Sequence, residues 1–400
     1  MAPSPFLGVV YHWTGGLAAA SFYIPYRAVK RWSWETYWLV GGIFSWIIAP
    51  WTFATLLVPD AWAAIRATPA PALTWAYLFG AMWGFGGLTF GLTMRYLGIA
   101  LGVAVALGLC NAFGTLMPPI FAGQMGEIAR TPSGQIILLG VLVCMIGIGI
   151  SGLAGMSKER ELSAEVKQAT IPEFDFAKGM LVATFSGVMS ACFAYGLAAG
   201  KPIAVIARAQ LLSHGASDLW QNLPVLIVVL AGGFTTNFVW CVMLNVKHRT
   251  AHQYLNLRAT AVAEVSATEA VVGWNAEELA GSAPDSAGSS HGVSGGRAIF
   301  DEPAPLGANY LFAALAGVTW YLQFFFYSMG ETQMGRYGFS SWTLHMASII
   351  IFSTLWGIAL REWRGTSRRT HLLIGLGLVV LVASTLVVGY GNYLKASAPQ

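Results

Sequence analysis

Charge is in short supply in this sequence. Asp, Glu, Lys and Arg make up only 10% of its 400 residues, where soluble domains carry about a quarter. Hydrophobic residues make up 56%, so there is too little polar surface to cover a water-exposed globule. Cysteine is scarcer still, with four residues. Cys110, Cys144, Cys192 and Cys241 all fall in apolar stretches without CxxC spacing, which gives no metal or dithiol motif and leaves them as packing residues. A phosphate loop ending in GK[ST], HExxH and GxSxG are also missing, so ATP-driven pumping and the common hydrolase chemistries have no sequence basis. Neither enzyme activity, a cofactor, a metal nor a nucleic-acid partner is expected.

What is present is a series of long apolar runs. A helix needs roughly 20 apolar residues to cross the hydrocarbon core, and ten stretches qualify: Phe6 to Val29, Glu35 to Leu57, Ala72 to Arg95, Ile99 to Ala122, Gly134 to Gly155, Phe176 to Ala199, Leu219 to Asn245, Gly307 to Gly330, Phe339 to Arg361 and His371 to Gly391. Abundant glycine inside them suits close helix approach in lipid and argues against a barrel. The expected fold is an all-α polytopic membrane protein of ten transmembrane helices, with membrane lipid as its main solvent. No basic region precedes the first stretch and no A-x-A-like site follows it, so it reads as a retained helix. Lysine and arginine mark cytoplasmic loops. The connections after the odd-numbered stretches hold 16 of the 22 basic residues and the other positions hold 6, so both termini are expected on the periplasmic side of a bacterial inner membrane.

The chain reads as a five-helix unit written twice. Gly16, Ala20, Phe22 and Lys30 recur 171 residues on as Gly187, Ala191, Phe193 and Lys201. Gly80, Trp83 and Gly98 recur 237 residues on as Gly317, Trp320 and Gly335. The change in spacing matches an insertion at 246–306, which contains the low-complexity run Ser282 to Gly296 and reads as a flexible cytoplasmic loop. The expected organisation is a first repeat over 1–155, a connector at 156–175, a second repeat over 176–391 and a tail at 392–400. Five is odd, so the repeats would be inverted, the usual construction of secondary transporters.

Polar groups within a bilayer are costly, so each is a candidate for substrate or ion contact. They are His12, Glu35, Arg95, Asn111, Asn237, Gln323 and His345. His12 and His345 are expected to carry a proton, because imidazole titrates near neutral pH, although an interhelical hydrogen bond is open to each. Glu35 is read as a third proton carrier, or as an interfacial ion pair beside Lys30 and Arg31. Arg95 fits a snorkelling anchor. Trp320, Gln323 and Tyr327 share one helical face, and Trp83 is the repeat partner of Trp320. An aromatic face with an amide suits a neutral sugar, whose C–H face stacks on rings while its hydroxyls need partners. Trp83, Trp320, Gln323, Tyr327 and Asn111 are therefore the expected substrate contacts.

Four blocks resemble the L-rhamnose–proton symporter family of the drug/metabolite transporter superfamily. They are KRWSWETYWLVGGIFSWIIAPW (Lys30 to Trp51), FGAMWGFGGLTFGLTMRYLG (Phe79 to Gly98), TWYLQFFFYSMG (Thr319 to Gly330) and SWTLHMAS (Ser341 to Ser348). The resemblance implies two inverted five-helix repeats that take up a 6-deoxyhexose, most simply L-rhamnose, with a proton. His12, Glu35, Arg95, Trp320, Gln323 and His345 fall on positions matching the family pattern. Gly87, Thr89 and Ala198 depart from it, standing where family members carry asparagine. An exporter or exchanger of another small metabolite on this fold, or a membrane sensor that moves nothing, remains open as an alternative.

Overall fold

In an apolar solvent, backbone N–H and C=O groups have only each other as partners, so an apolar chain closes its hydrogen bonds within helices. The computed structural model describes residues 4–161, 175–256 and 304–396, and no strand occurs among them. All ten apolar stretches are helical. In chain order α1 is Pro5–Ser21, α2 Trp34–Leu57, α3 Ala70–Leu97, α4 Ile99–Phe121, α5 Pro132–Glu161, α6 Phe176–Ala199, α7 Leu223–His248, α8 Leu306–Gln333, α9 Ser341–Ala359 and α10 Arg368–Ala396. Eight of these, all but α1 and α3, lie in helical stretches long and apolar enough to cross a membrane. α1 has 17 residues, about 26 Å at the rise of a helix, and runs on into one further turn, Tyr23–Tyr26. α3 has 28 residues, but glycine, threonine and tryptophan dilute its hydropathy.

Local chemistry explains several boundaries. Asp175 caps α6, its carboxylate accepting from the Lys178 N–H at 3.0 Å. Gly98 ends α3 at φ +80° and Gly335 follows α8 at φ +58°, backbone that residues with side chains avoid. Within α2, residues Phe44–Ile48 form a π-turn just before Pro50. Such bulges recur at functional sites because they re-aim side chains, and this one carries Ser45 and Trp46.

α1 packs on α8 and α9, while α6 packs on α3 and α4. α2 lies against α7 and α8, α7 against α3, and α5 against α10. The largest buried cluster draws on α2, α3, α4, α6, α7, α8 and α9, and its buried aromatic side chains Trp46, Phe193, Phe324, Tyr327 and Trp342 come from α2, α6, α8 and α9. Outward faces carry exposed Phe6, Leu56, Phe121, Leu181 and Val379, as expected of a surface that meets lipid. Ser282 to Gly296 and most of the 156–175 connector lie outside the described residues. The start of the 246–306 segment is ordered: α7 runs through His248, and a 3₁₀ turn, Ala251–Leu255, follows.

Candidate functional site

The face of α8 that carries Trp320, Gln323 and Tyr327 turns inward, and Gln323 and Tyr327 are buried. α1 and α9 cross against it and bring His12 and His345, both buried. The Tyr327 ring lies 5.2 Å from each imidazole, and the two imidazoles lie 6.4 Å apart. His345 Nε2 lies 3.4 Å from Gln323 Oε1. Ser348 fixes the crossing of α1 and α9, its hydroxyl lying 2.9 Å from the His12 carbonyl and 2.8 Å from that of His345.

Both nitrogens of His12, Nδ1 of His345 and the amide nitrogen of Gln323 are buried with no hydrogen-bond partner among the described residues. Each such group costs about 1–3 kcal/mol, so four together are a concentrated expense for a fold. A ligand that offers several hydroxyls would answer them.

Beside this polar cluster runs an aromatic sleeve. Trp83 meets Phe193 at 5.2 Å, Phe324 at 5.5 Å and Trp46 at 6.1 Å. Trp320 packs on Phe22 at 4.0 Å and reaches Phe324 at 6.1 Å. The indole nitrogens of Trp46 and Trp320 and the Ser45 hydroxyl are again buried without partners among the described residues. A cavity of about 10 Å³ lies between Trp38, Ser45, Trp46 and Trp320, room for roughly one water.

The remaining candidates lie elsewhere. Asn111 is buried beside Thr115, whose hydroxyl lies 3.5 Å from its Oδ1 and 2.8 Å from Thr343. Its neighbour Cys110 also meets α9, its carbonyl accepting from the Trp342 indole N–H at 3.1 Å. Asn237 accepts from the Trp38 indole at 3.3 Å, at the edge of the sleeve. Glu35 does not join the histidines. Its Oε1 accepts from Thr250 at 2.9 Å and lies 3.2 Å from His248 Nδ1, at the opposite end of the bundle. Nearby, Gln253 Oε1 accepts from Ser33 N at 2.8 Å, and the Gln253 carbonyl from the Trp32 indole at 3.1 Å. Thr89 bonds back to the Phe85 carbonyl at 2.8 Å, and nothing lies within 4 Å of where a Gly87 Cβ would stand. Of the three departures from the family pattern, Gly87 and Thr89 make no contact with the His12–His345–Gln323 cluster.

The α8 stripe is longer than the sequence reading made it. The spacing of four that links Gln323 to Tyr327 continues to Glu331, in the last turn of α8, where Asn222 Nδ2 donates to its Oε2 at 3.0 Å. Extending the same periodicity by one step would have found it.

The family model for the L-rhamnose-proton symport protein matches residues 1–264 and 297–393. The L-rhamnose-proton symporter of Klebsiella pneumoniae (strain 342) is 37% identical over 387 residues, 96% of this chain and 97% of that protein. Those of Shigella sonnei (strain Ss046) and Salmonella newport (strain SL254) are each 36% identical over 387 residues, again 96% of this chain and 97% of theirs.

Proposed function

Since this chain belongs to the L-rhamnose-proton symport protein family, we propose that it is a secondary transporter that brings L-rhamnose into the cell with a proton. The observation that carries this reading is the buried His12–His345–Gln323 cluster, with its unanswered nitrogens, set against the tryptophan sleeve. A 6-deoxyhexose has the matching chemistry. Its hydroxyls answer Gln323 and the indole N–H groups of Trp46 and Trp320, and its C–H face and methyl group lie on Trp83, Trp320 and Tyr327. Asn111 supports the wall behind Trp342. His345 and His12 hold the proton at mid-depth. Glu35, with His248, stands where the proton would leave on the cytoplasmic side.

The membrane arrangement belongs to the same proposal: ten spans in the bacterial inner membrane, both termini periplasmic, in two inverted five-helix repeats over 1–155 and 176–391. Three glycine pairs support the repeat. A Cβ on Gly16 would meet Ser348 of α9, and one on its counterpart Gly187 would meet Leu109 of α4. Gly80 lets α3 approach Val229 of α7, as Gly317 lets α8 approach Gly41 of α2. Gly98 and Gly335 break their helices with positive φ. Exchanging α1 with α6, α2 with α7, α3 with α8 and α4 with α9 maps one set of contacts onto the other, the symmetry that alternating access uses.

One proton per cycle suffices energetically. A membrane potential supplies about 2.3 kcal/mol per charge per 100 mV, enough to concentrate a neutral sugar tens of times. The test is uptake of labelled L-rhamnose into proteoliposomes under an inward proton gradient, with the gradient collapsed in a parallel sample. Accumulation that vanishes on collapse is expected; equal uptake in both would refute coupling.

A further inference from the structure

One acidic side chain on the α8 stripe has no role in the cycle above. Glu331 lies half-buried in the last turn of the helix, one turn beyond Tyr327, whose ring touches both imidazoles. The last turn of a helix is an unfavourable place for a negative charge, because the backbone dipole presents its negative end there. The surroundings compensate with a specific donor. Asn222, just before α7, gives one amide N–H to Glu331 Oε2 at 3.0 Å and one to the Ser328 carbonyl at 3.3 Å, tying the start of α7 to the end of α8.

Among the described residues, few other charged groups lie near this helix end. Lys201, which opens the helix Lys201–Ser213, is the cation whose field reaches the carboxylate. Asp218, on the 3₁₀ turn packed against α8, is held by Arg208 at 3.4 Å. Tyr337, on the turn after α8, bonds to Thr131 at 2.9 Å. α1 presents His12, whose ring faces Gly330, the residue before Glu331, and α9 presents His345. Gly338 lies over the carboxylate, with the Glu331 Cγ 3.5 Å from where its Cβ would stand.

Titratable groups therefore line α8 from the deep Gln323–His345 contact to its outer rim. We propose that Glu331 is the outer proton-exchange group of the cycle. Its carboxylate takes a proton from the outer aqueous face, becomes the neutral acid, and passes the proton inward past Tyr327 to an imidazole of the His12–His345 pair, returning to carboxylate. Asn222 couples this step to shape, because it joins the carboxylate to the start of α7, and neutralising the carboxylate weakens that tie. The inference rests on the symport reading and extends it to the entrance.

The test compares wild type, Glu331→Gln and Glu331→Asp in proteoliposomes, using labelled L-rhamnose in two assays. Counterflow with sugar on both sides needs no net proton movement, whereas accumulation under an inward proton gradient does. The expected result is that Glu331→Gln loses at least tenfold more accumulation than counterflow, and that Glu331→Asp, which keeps a carboxylate, recovers accumulation. Wild-type accumulation in Glu331→Gln would overturn the proposal and leave the symport reading intact. Equal loss of both activities in Glu331→Gln, unrelieved in Glu331→Asp, would also overturn it, because the residue would then serve only the fold. Failure of the wild type itself to respond to the gradient would remove the symport reading, and the proposal with it.

Discussion

Gly330 faces the ring of His12: a Cβ at position 330 would stand 2.7 Å from His12 Nε2. The absence of one methyl group on α8 thus makes room for a buried imidazole on α1. Gly330→Ala should push His12 out of its place, at the roughly 1–3 kcal/mol typical of overpacking. Uptake should fall at least tenfold, with a measurably lower unfolding temperature in detergent. Wild-type uptake in this variant would mean that the position of His12 is not critical.

The amide of Gln323 meets His345 at 3.4 Å, and its nitrogen is buried without a partner among the described residues. Gln323→Ala is expected to raise the half-saturating L-rhamnose concentration in counterflow about 2- to 12-fold, the value of one hydrogen bond of roughly 0.5–1.5 kcal/mol. His345→Ala should instead abolish gradient-driven accumulation. Measuring both activities in both variants separates sugar recognition from coupling.

Trp320 offers the sleeve both a ring and an unpartnered indole N–H. Trp320→Phe keeps the stacking surface and loses the donor, whereas Trp320→Ala loses both. Apparent affinity should fall in the order wild type, Phe, Ala, with the Ala variant about tenfold weaker, given ring contacts worth roughly 0.5–1.5 kcal/mol each. An Ala variant as tight as wild type would remove Trp320 from the sugar site.

Glu35 and His248 lie 3.2 Å apart, on α2 and at the end of α7. A double-mutant cycle of Glu35→Gln and His248→Ala, read by thermal unfolding, should show coupling of about 0.5–3 kcal/mol. Additive effects would mean that the two groups do not hold these helix ends together.

Glu362 lies in the turn between α9 and α10, and burial pushes its carboxyl above the ordinary glutamate range while Lys158 and Arg27 pull it back. The folded state therefore holds this proton to higher pH than the unfolded chain does. Stability should be greatest below the unfolded value and should fall as pH rises through the folded one. Glu362→Gln should flatten that slope in thermal unfolding measured from pH 4 to 8; an unchanged slope would assign it to other groups.

Much of this was legible in the residues because it depends on spacing. The inward face of α8 follows from Trp320, Gln323 and Tyr327 at intervals of three and four, and the helical stretches follow from runs of apolar residues. The meeting of His12 with His345 does not, because 333 residues separate them, and only the crossing of α1 and α9, fixed by Ser348, brings the rings together. Glu35 was ambiguous for the same reason. Its partners Thr250 and His248 stand at the far end of another helix, so no local pattern separates a proton carrier from an ion pair.

By itself, then, the sequence determined that this is a helical membrane protein, where its helices lie and which of their faces are polar, because solvation and helical periodicity are local or compositional properties. Tertiary structure alone decided which polar faces meet, which nitrogens are left without partners and which glycine makes room for which ring. Those outcomes depend on the angles at which helices distant in sequence cross, and crossing angles are set by side-chain packing that no single stretch encodes.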